Sequence, residues 1–109
     1  ETWAALVAHW QGLHALDPDI AAAFARIAID EARHAELAAD IDQWVQGRLS
    51  PRERAVVETA RRAAVAGLWQ VTEPDPDLQR IAGLPSAATA RRLLRGLTTG
   101  LWDSAARAA

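Results

Sequence analysis

The chain has 109 residues, of which 26 are alanine and none is cysteine, methionine or tyrosine, and its formal net charge is −2. This length corresponds to a single domain, and so much alanine predicts a mostly helical one. The composition excludes disulfides and cysteine-based catalysis or zinc binding, provides no basic excess for binding nucleic acid, and contains no apolar run of about 18 residues that could span a membrane.

The first two predicted helices form a long antiparallel hairpin. Apolar residues recur every three or four positions over residues 2–16, which is typical of a helix. Asp17 is a favoured N-cap residue and Pro18 suits the first helical turn, so a second helix is expected from there to about Gln46, with Gly47 as its end. Because the connection is short, the two helices are expected to be antiparallel neighbours.

Two further helices are predicted in the rest of the chain. The first covers residues 51–71 and begins at Ser50 and Glu53, whose spacing is that of a capping box. Residues 73–77 form a stiff, acidic, proline-containing linker, which is followed by one short helical turn. The last helix is predicted over residues 86–107. The fold class expected from the sequence is therefore all-α.

The second helix carries the residues that are best suited to metal binding or catalysis. Its apolar positions form a seam with an uninterrupted spacing of three and four residues, and the two middle positions of that seam are a carboxylate and an imidazole. A charge buried in a helix interface needs a partner or a metal ion. This α2 seam consists of Ile20, Phe24, Ile27, Glu31, His34, Ala38, Ile41 and Val45.

The first helix is expected to bring a third ligand to the same level. Glu1 lies about 15 residues before the turn, or roughly 23 Å along the helix axis. Glu31 and His34 lie about 14 and 17 residues after it, or roughly 21 and 26 Å. Two carboxylates and one imidazole should therefore converge, and this set of ligands suits iron or manganese.

These segments resemble a known family. Residues 27–38, followed by Trp44, resemble the last bundle helix of ferritin-like di-iron carboxylate proteins such as rubrerythrin and bacterioferritin, and are most similar to uncharacterised bacterial ferritin-like domains. Residues 1–6 resemble the preceding helix, where the family has its bridging glutamate. The resemblance covers residues 1–48 by motif and continues more weakly near residues 83–85.

The resemblance implies a set of site residues. In the family, each half of a four-helix bundle supplies one Glu and one Glu-x-x-His, and the two halves share two metal ions. By that resemblance Glu1, Glu31 and His34 are metal ligands, and Glu31 can contact both ions. Asp30 is implied as an acceptor that orients a histidine from the other half.

The sequence contains only half of such a site, because the helices predicted after residue 50 hold no Glu-x-x-His. We interpret residues 1–48 as the second helix pair of a ferritin-like bundle and residues 49–109 as a C-terminal helical extension. Because the chain begins with Glu1 and has no methionine, we expect a fragment or a processed chain. The iron or manganese centre would be completed by a missing N-terminal helix pair or by a second copy in a homodimer.

Three functional hypotheses follow. The first is a ferritin-like di-iron protein that binds and oxidises iron, or reduces dioxygen or peroxide; the absence of tyrosine argues against a tyrosyl-radical enzyme. The second is a non-catalytic scaffold with a degenerate site. The third is a helical interaction protein in which Glu31 and His34 pair with an arginine. The compartment, bacterial cytoplasm or cell envelope, stays open.

Other conspicuous side chains are predicted to be structural. His9 and His14 are expected on the surface or in an interface, outside the ligand set. The five tryptophans are expected to anchor the core or an interface. We also expect an exposed apolar patch around Trp3, Phe24 and Ile27, because the hairpin needs more cover than two short helices provide.

Overall fold

The computed structural model describes residues 1–102, which form five α-helices and a final π-helical turn. No strand occurs in that part of the chain, so the all-α prediction is confirmed. Residues 103–107 of the last predicted helix lie outside the described residues. The elements are α1 (Thr2–His14), α2 (Pro18–Gln46), α3 (Pro51–Leu68), α4 (Pro76–Ile81), α5 (Ala87–Leu97) and the π-helical turn (Thr98–Trp102).

Helices α1 and α2 are antiparallel and in contact along the whole of α1. Near the turn the backbones approach so closely that a Cβ atom on Gly12 would lie 3.0 Å from the backbone nitrogen of Ala25. At the far end of α1 the carboxylate of Glu1 lies 3.9 Å from the ring of His34. The 13 residues of α1 therefore cover only the first part of the 29-residue α2, which extends roughly 20 Å further.

Two of the predicted helix starts have the expected caps. The side chain of Asp17 accepts hydrogen bonds from the backbone amides of Asp19 and Ile20 at the start of α2. Ser50 and Glu53 form a complete capping box at the start of α3. The hydrogen bonds from the side chain and then the backbone of Ser50 hold the pKa of Glu53 below its ordinary value of 4.5.

The turn of the hairpin is covered by α4 and the loop that follows it. The backbone amide of Leu16 donates to the carbonyl of Arg80 at 3.0 Å, and that of Asp17 donates to the carbonyl of Ile81 at 3.3 Å. Because these two amides bind carbonyls of α4, they do not continue α1, which ends at His14 rather than at residue 16. We call this part of the molecule, where α4 and the following loop meet the turn, the closed end.

A glycine allows the close approach at the closed end. Gly83 has a φ of 71°, and a Cβ atom there would lie 2.5 Å from the backbone nitrogen of Ala15. Next to it, the buried side chain of Gln11 donates a hydrogen bond of 2.9 Å to the carbonyl of Ala82. The fully buried Leu94 of α5 is the largest side chain of the core. The other buried apolar residues are Ala8, Ala28, Ala87 and Ala90.

Helix α3 has no buried residue and returns beside the last turns of α2. Its contacts with the preceding chain are polar: Arg61 binds Asp42 at 2.6 Å, and Arg54 donates to the carbonyls of Gln46 and Leu49. The helix ends at residue 68 and not at 71, just after Gly67, because glycine weakens the last helical turn.

The molecule is elongated. Its radius of gyration is 15.9 Å, whereas a compact domain of this length has about 13 Å. The principal extents are 49 × 25 × 19 Å, and the long axis exceeds the length of α2. Among the described residues, no helix combines the length and the hydropathy that a membrane crossing needs.

Candidate metal centre

Glu31 and His34 lie near the middle of α2. Their spacing of three residues directs both side chains from the same face of the helix. The helix is continuous through them because no glycine and no further proline occurs between Pro18 and Gln46, while alanine is frequent. The relative placement of the two ligand atoms is therefore fixed by helix geometry and not by a loop.

Glu1 reaches the same point from the other arm of the hairpin. It occupies the N-cap position of α1, but its side chain makes no capping hydrogen bond. Its Oε2 atom lies 3.9 Å from Nδ1 of His34, and Oε2 of Glu31 lies 3.9 Å from the same nitrogen. One ligand atom from each residue lies within 4.8 Å of the other two. The structure thus brings together the three residues whose convergence the sequence predicts.

The three side chains lie at the boundary between an apolar groove and solvent. The side chain of Glu31 is 27% exposed, against 51% for Glu1 and 59% for His34. Solvent and ions therefore reach the cluster directly. This exposure also explains why the α2 seam tolerates a carboxylate and an imidazole, since neither group is fully removed from water.

The donor set and its spacing fit a divalent metal ion. Oxygen and nitrogen ligands lie about 2.1 Å from an ion of the size of zinc, so two donors of one ion are at most about 4.2 Å apart. The two distances of 3.9 Å to His34 satisfy that limit. The largest separation, up to 4.8 Å, requires a side-chain rotation that moves a donor by less than about 1 Å. Two carboxylates and one imidazole without sulfur suit iron, manganese or zinc.

The cluster is not held together by its own hydrogen bonds. At 3.9 Å the contacts of His34 with Glu1 and Glu31 exceed hydrogen-bond length. Three donors thus point at a common space without bonding one another. Such an arrangement leaves their lone pairs available to a cation.

The described residues contain no second group of this kind. The carboxylates of α3 are engaged elsewhere: Glu53 belongs to the capping box, and Glu58 binds Arg61 and Arg62 at 3.6 and 2.9 Å. Residues 1–102 therefore contain three candidate ligands, which is half of the set that the family resemblance implies.

The remaining candidates from the sequence lie outside the cluster. Asp30 is exposed, and its Oδ1 atom binds Arg33 at 3.2 Å, so within one chain its partner is an arginine. The ring of His14 stacks on Trp10 with centroids 3.7 Å apart, and its Nδ1 atom lies 2.9 Å from the Trp10 carbonyl oxygen. His9 is exposed and lines a different surface depression.

An open apolar groove leads from the closed end to the cluster. It has a volume of about 310 Å³ and is lined by residues of both hairpin helices. The expected patch is therefore present in a modified form: Ile27 is exposed, whereas Trp3 and Phe24 are half-buried in the groove wall. We use the name groove for the surface formed by Trp3, Ala4, Val7, Ala8, Gln11, Phe24, Ile27 and Glu31.

Beyond the cluster, the second half of α2 is bare. Leu37, Ile41 and Trp44 are 57%, 54% and 60% exposed. The only aromatic contact of Trp44 among the described residues is with Arg48, whose guanidinium carbon lies 4.0 Å from the ring centroid. Trp44 is therefore not a core residue. Sequence reasoning missed this surface, although the unequal lengths of the first two predicted helices were a signal for it.

Comparisons with family models, with curated proteins and with solved structures find no match to this chain. The ferritin-like resemblance therefore depends on the motif residues of the hairpin and on their geometry.

Proposed function

We propose that this chain binds a divalent transition metal ion through Glu1, Glu31 and His34, and that these residues are one half of a ferritin-like di-iron or iron–manganese centre. The observation that carries the proposal is the convergence of three nitrogen and oxygen donors, from two helices, within 4.8 Å of one another. Helix α1 supplies one of these donors and α2 supplies two.

A second helix pair would complete the centre. Three protein ligands leave coordination positions open on any ion bound there, and a di-metal centre needs further carboxylates. Metal ions with open positions supply the chemistry for oxidising iron or for reducing dioxygen or peroxide. Glu1, Glu31 and His34 would hold such ions, and the apolar groove beside Glu31 would offer them no further ligand on that side.

The alternative is a non-catalytic scaffold in which the ferritin-like site is degenerate. Its specific support is the bare apolar half of α2, which provides a surface for binding another helix. Metal binding separates the two proposals, because a scaffold with a degenerate site would have no selective affinity for Fe²⁺ or Mn²⁺.

The test is an anaerobic titration of the purified chain with Fe²⁺ and Mn²⁺, followed by calorimetry. We expect His34→Ala and Glu31→Gln each to weaken binding by at least about tenfold, since loss of an interaction at a metal site typically has an effect of this size or larger. Glu31→Gln should have the larger effect, because the family pattern gives this carboxylate contacts with both ions. The unfolding temperature should hardly change, because neither side chain is buried.

Two matched variants serve as controls. His9→Ala and Glu36→Gln remove an imidazole and a carboxylate that lie on the same two helices but line a different depression. They should leave metal affinity unchanged. If all four variants bind Fe²⁺ as the parent chain does, the cluster is not a metal site and the scaffold proposal is preferred. Accelerated oxidation of Fe²⁺ in air by the parent chain alone would support catalytic function.

A further inference from the structure

Helix α2 has a two-fold pattern about its own midpoint. The helix spans Pro18–Gln46, and its centre falls at residue 32. The α2 seam is arranged symmetrically around almost the same point, between residues 32 and 33. Reversing the direction of the helix about that point exchanges Glu31 with His34, Ile27 with Ala38, Phe24 with Ile41, and Ile20 with Val45.

The two halves of α2 have the same length, but only the first half packs on α1. The half before the midpoint packs on α1 and forms one wall of the groove. The half after the midpoint exposes Leu37, Ile41 and Trp44, and its contact with α3 is the ion pair of Arg61 with Asp42. An apolar helical surface of this kind, with anchors three and four residues apart, fits a groove between two helices.

We propose that two copies of this chain associate by antiparallel pairing of their α2 helices about a two-fold axis at that midpoint. The bare half of each α2 then lies in the groove of the other copy. The inference rests on the proposed function, in which the metal centre needs a second helix pair. It identifies that pair as a second copy of the same hairpin.

The side chains at matching levels are complementary. The exposed Ile27 lies level with Ala38 of the second copy, and Phe24 lies level with Ile41. The pair of residues 27 and 38 sets a large side chain against a small one, and the pair of residues 24 and 41 sets two large apolar side chains against each other. Each such contact occurs twice, because a two-fold interface uses the same surface on both copies.

The same pairing brings the two clusters together. Glu31 of each copy lies level with His34 of the other. Glu1 of each copy lies at the same level, at the start of α1. Four carboxylates and two imidazoles then surround the axis, which is the full number of ligands for two metal ions in a bundle of this kind. Neither copy needs to move its helices relative to one another for this.

The chain exposes more surface than a compact monomer of its mass. The accessible surface is 7535 Å², whereas a compact monomer of 11.8 kDa has about 5,900 Å². The exposed apolar side chains of the bare half of α2 are part of that surface, and a stable interface buries roughly 800 Å² of each partner.

The first experiment measures the mass of the chain by sedimentation, both metal-free and with Mn²⁺. The expected result is a dimer in at least one of these conditions. Ile41→Glu should weaken that dimer by at least about tenfold, because it places a charge in an apolar contact twice per dimer. Val56→Glu is the matched control, since this β-branched residue is equally exposed but lies on α3. It should leave the mass unchanged.

The second experiment tests the register with disulfides, for which a chain without cysteine is well suited. Three samples are oxidised: the Ile27→Cys chain alone, the Ala38→Cys chain alone, and a mixture of the two chains. Like positions lie about 16 Å apart along the axis in the proposed pairing, which is too far for a disulfide, whereas residues 27 and 38 of different copies are level. We expect roughly tenfold more cross-linked dimer in the mixture than in either single sample.

The outcomes distinguish the dimer from the metal site. A chain that stays monomeric with and without Mn²⁺, or a dimer that forms no mixed disulfide, overturns the proposed pairing. A monomer that still binds Mn²⁺ through Glu31 and His34 overturns the pairing alone and leaves the metal site supported. A dimer with the mixed disulfide but without metal affinity confirms the pairing and overturns the proposed function.

Discussion

The two ends of the hairpin contrast in how their surfaces are covered. At the closed end, α4 and the loop after it pack on the turn, and Gln11 is buried. At the other end, which we call the open end, Glu1, His34 and the bare half of α2 are exposed to solvent. The hydrogen bonds that join the turn to the later helices therefore lie at one end, and the candidate metal ligands lie at the other.

This separation has a physical reason. A carboxylate and an imidazole in a helix seam would be strongly unfavourable if packing excluded water from them. At the open end they keep contact with water, so the fold needs no metal ion to compensate for their burial. The same exposure leaves apolar groups of α2 in water. Burying them in an assembly would lower the free energy further.

The largest expected effect comes from a cavity in the core beneath α5. Leu94→Ala should lower the free energy of unfolding by about 2–5 kcal/mol, because Leu94 is fully buried. Leu37→Ala makes the same chemical change at the open end and should alter it by less than about 0.5 kcal/mol. Urea denaturation of both variants measures the difference. Equal losses would show that the open end is packed in solution.

A second substitution tests the close approach at the turn. Gly83→Ala should destabilise the chain by about 2 kcal/mol, because the left-handed backbone at Gly83 disfavours a side chain and the new Cβ would collide with Ala15. Gly96→Ala in α5 is the control, since its Cβ would meet no atom within 4 Å. It should stabilise by up to about 1 kcal/mol. A neutral Gly83→Ala would contradict the packing of the loop on the turn.

The parts of the fold that the sequence predicts are those with local signals. Asp17 and Ser50 start helices because each caps backbone amides two or three residues away. The convergence of Glu1 with His34 follows from helical rise and from one short turn. Both inferences need only neighbouring residues or a count along a helix axis.

The closed end could not be predicted in this way. Its contacts join residues far apart in sequence, such as Gln11 with Ala82 and Leu16 with Arg80. These contacts involve backbone carbonyls, which every residue has, and a glycine in a left-handed conformation. No periodic pattern marks such partners. For the same reason, the sequence alone did not show that the second half of α2 would be left bare.

The smallest expected effect concerns α3, which has no buried residue and depends on local interactions. Hydrogen bonds to Ser50 lower the pKa of Glu53. A carboxylate whose pKa is lowered by folding stabilises the helix above its unfolded pKa, and that contribution is lost as the pH falls through the lowered pKa. Acid should therefore fray the start of α3 before it affects the closed end.

Titration of the Glu53 side-chain carbon by NMR measures this effect. In Ser50→Ala the pKa of Glu53 should rise towards its ordinary value, because the hydroxyl that contributes most to the shift is removed and only the backbone amide remains. Ser86→Ala removes the corresponding cap of α5 and should leave the pKa of Glu53 unchanged. An identical pKa in the parent chain and in Ser50→Ala would mean that the capping box is not formed in solution, and that α3 depends on contacts with α2 instead.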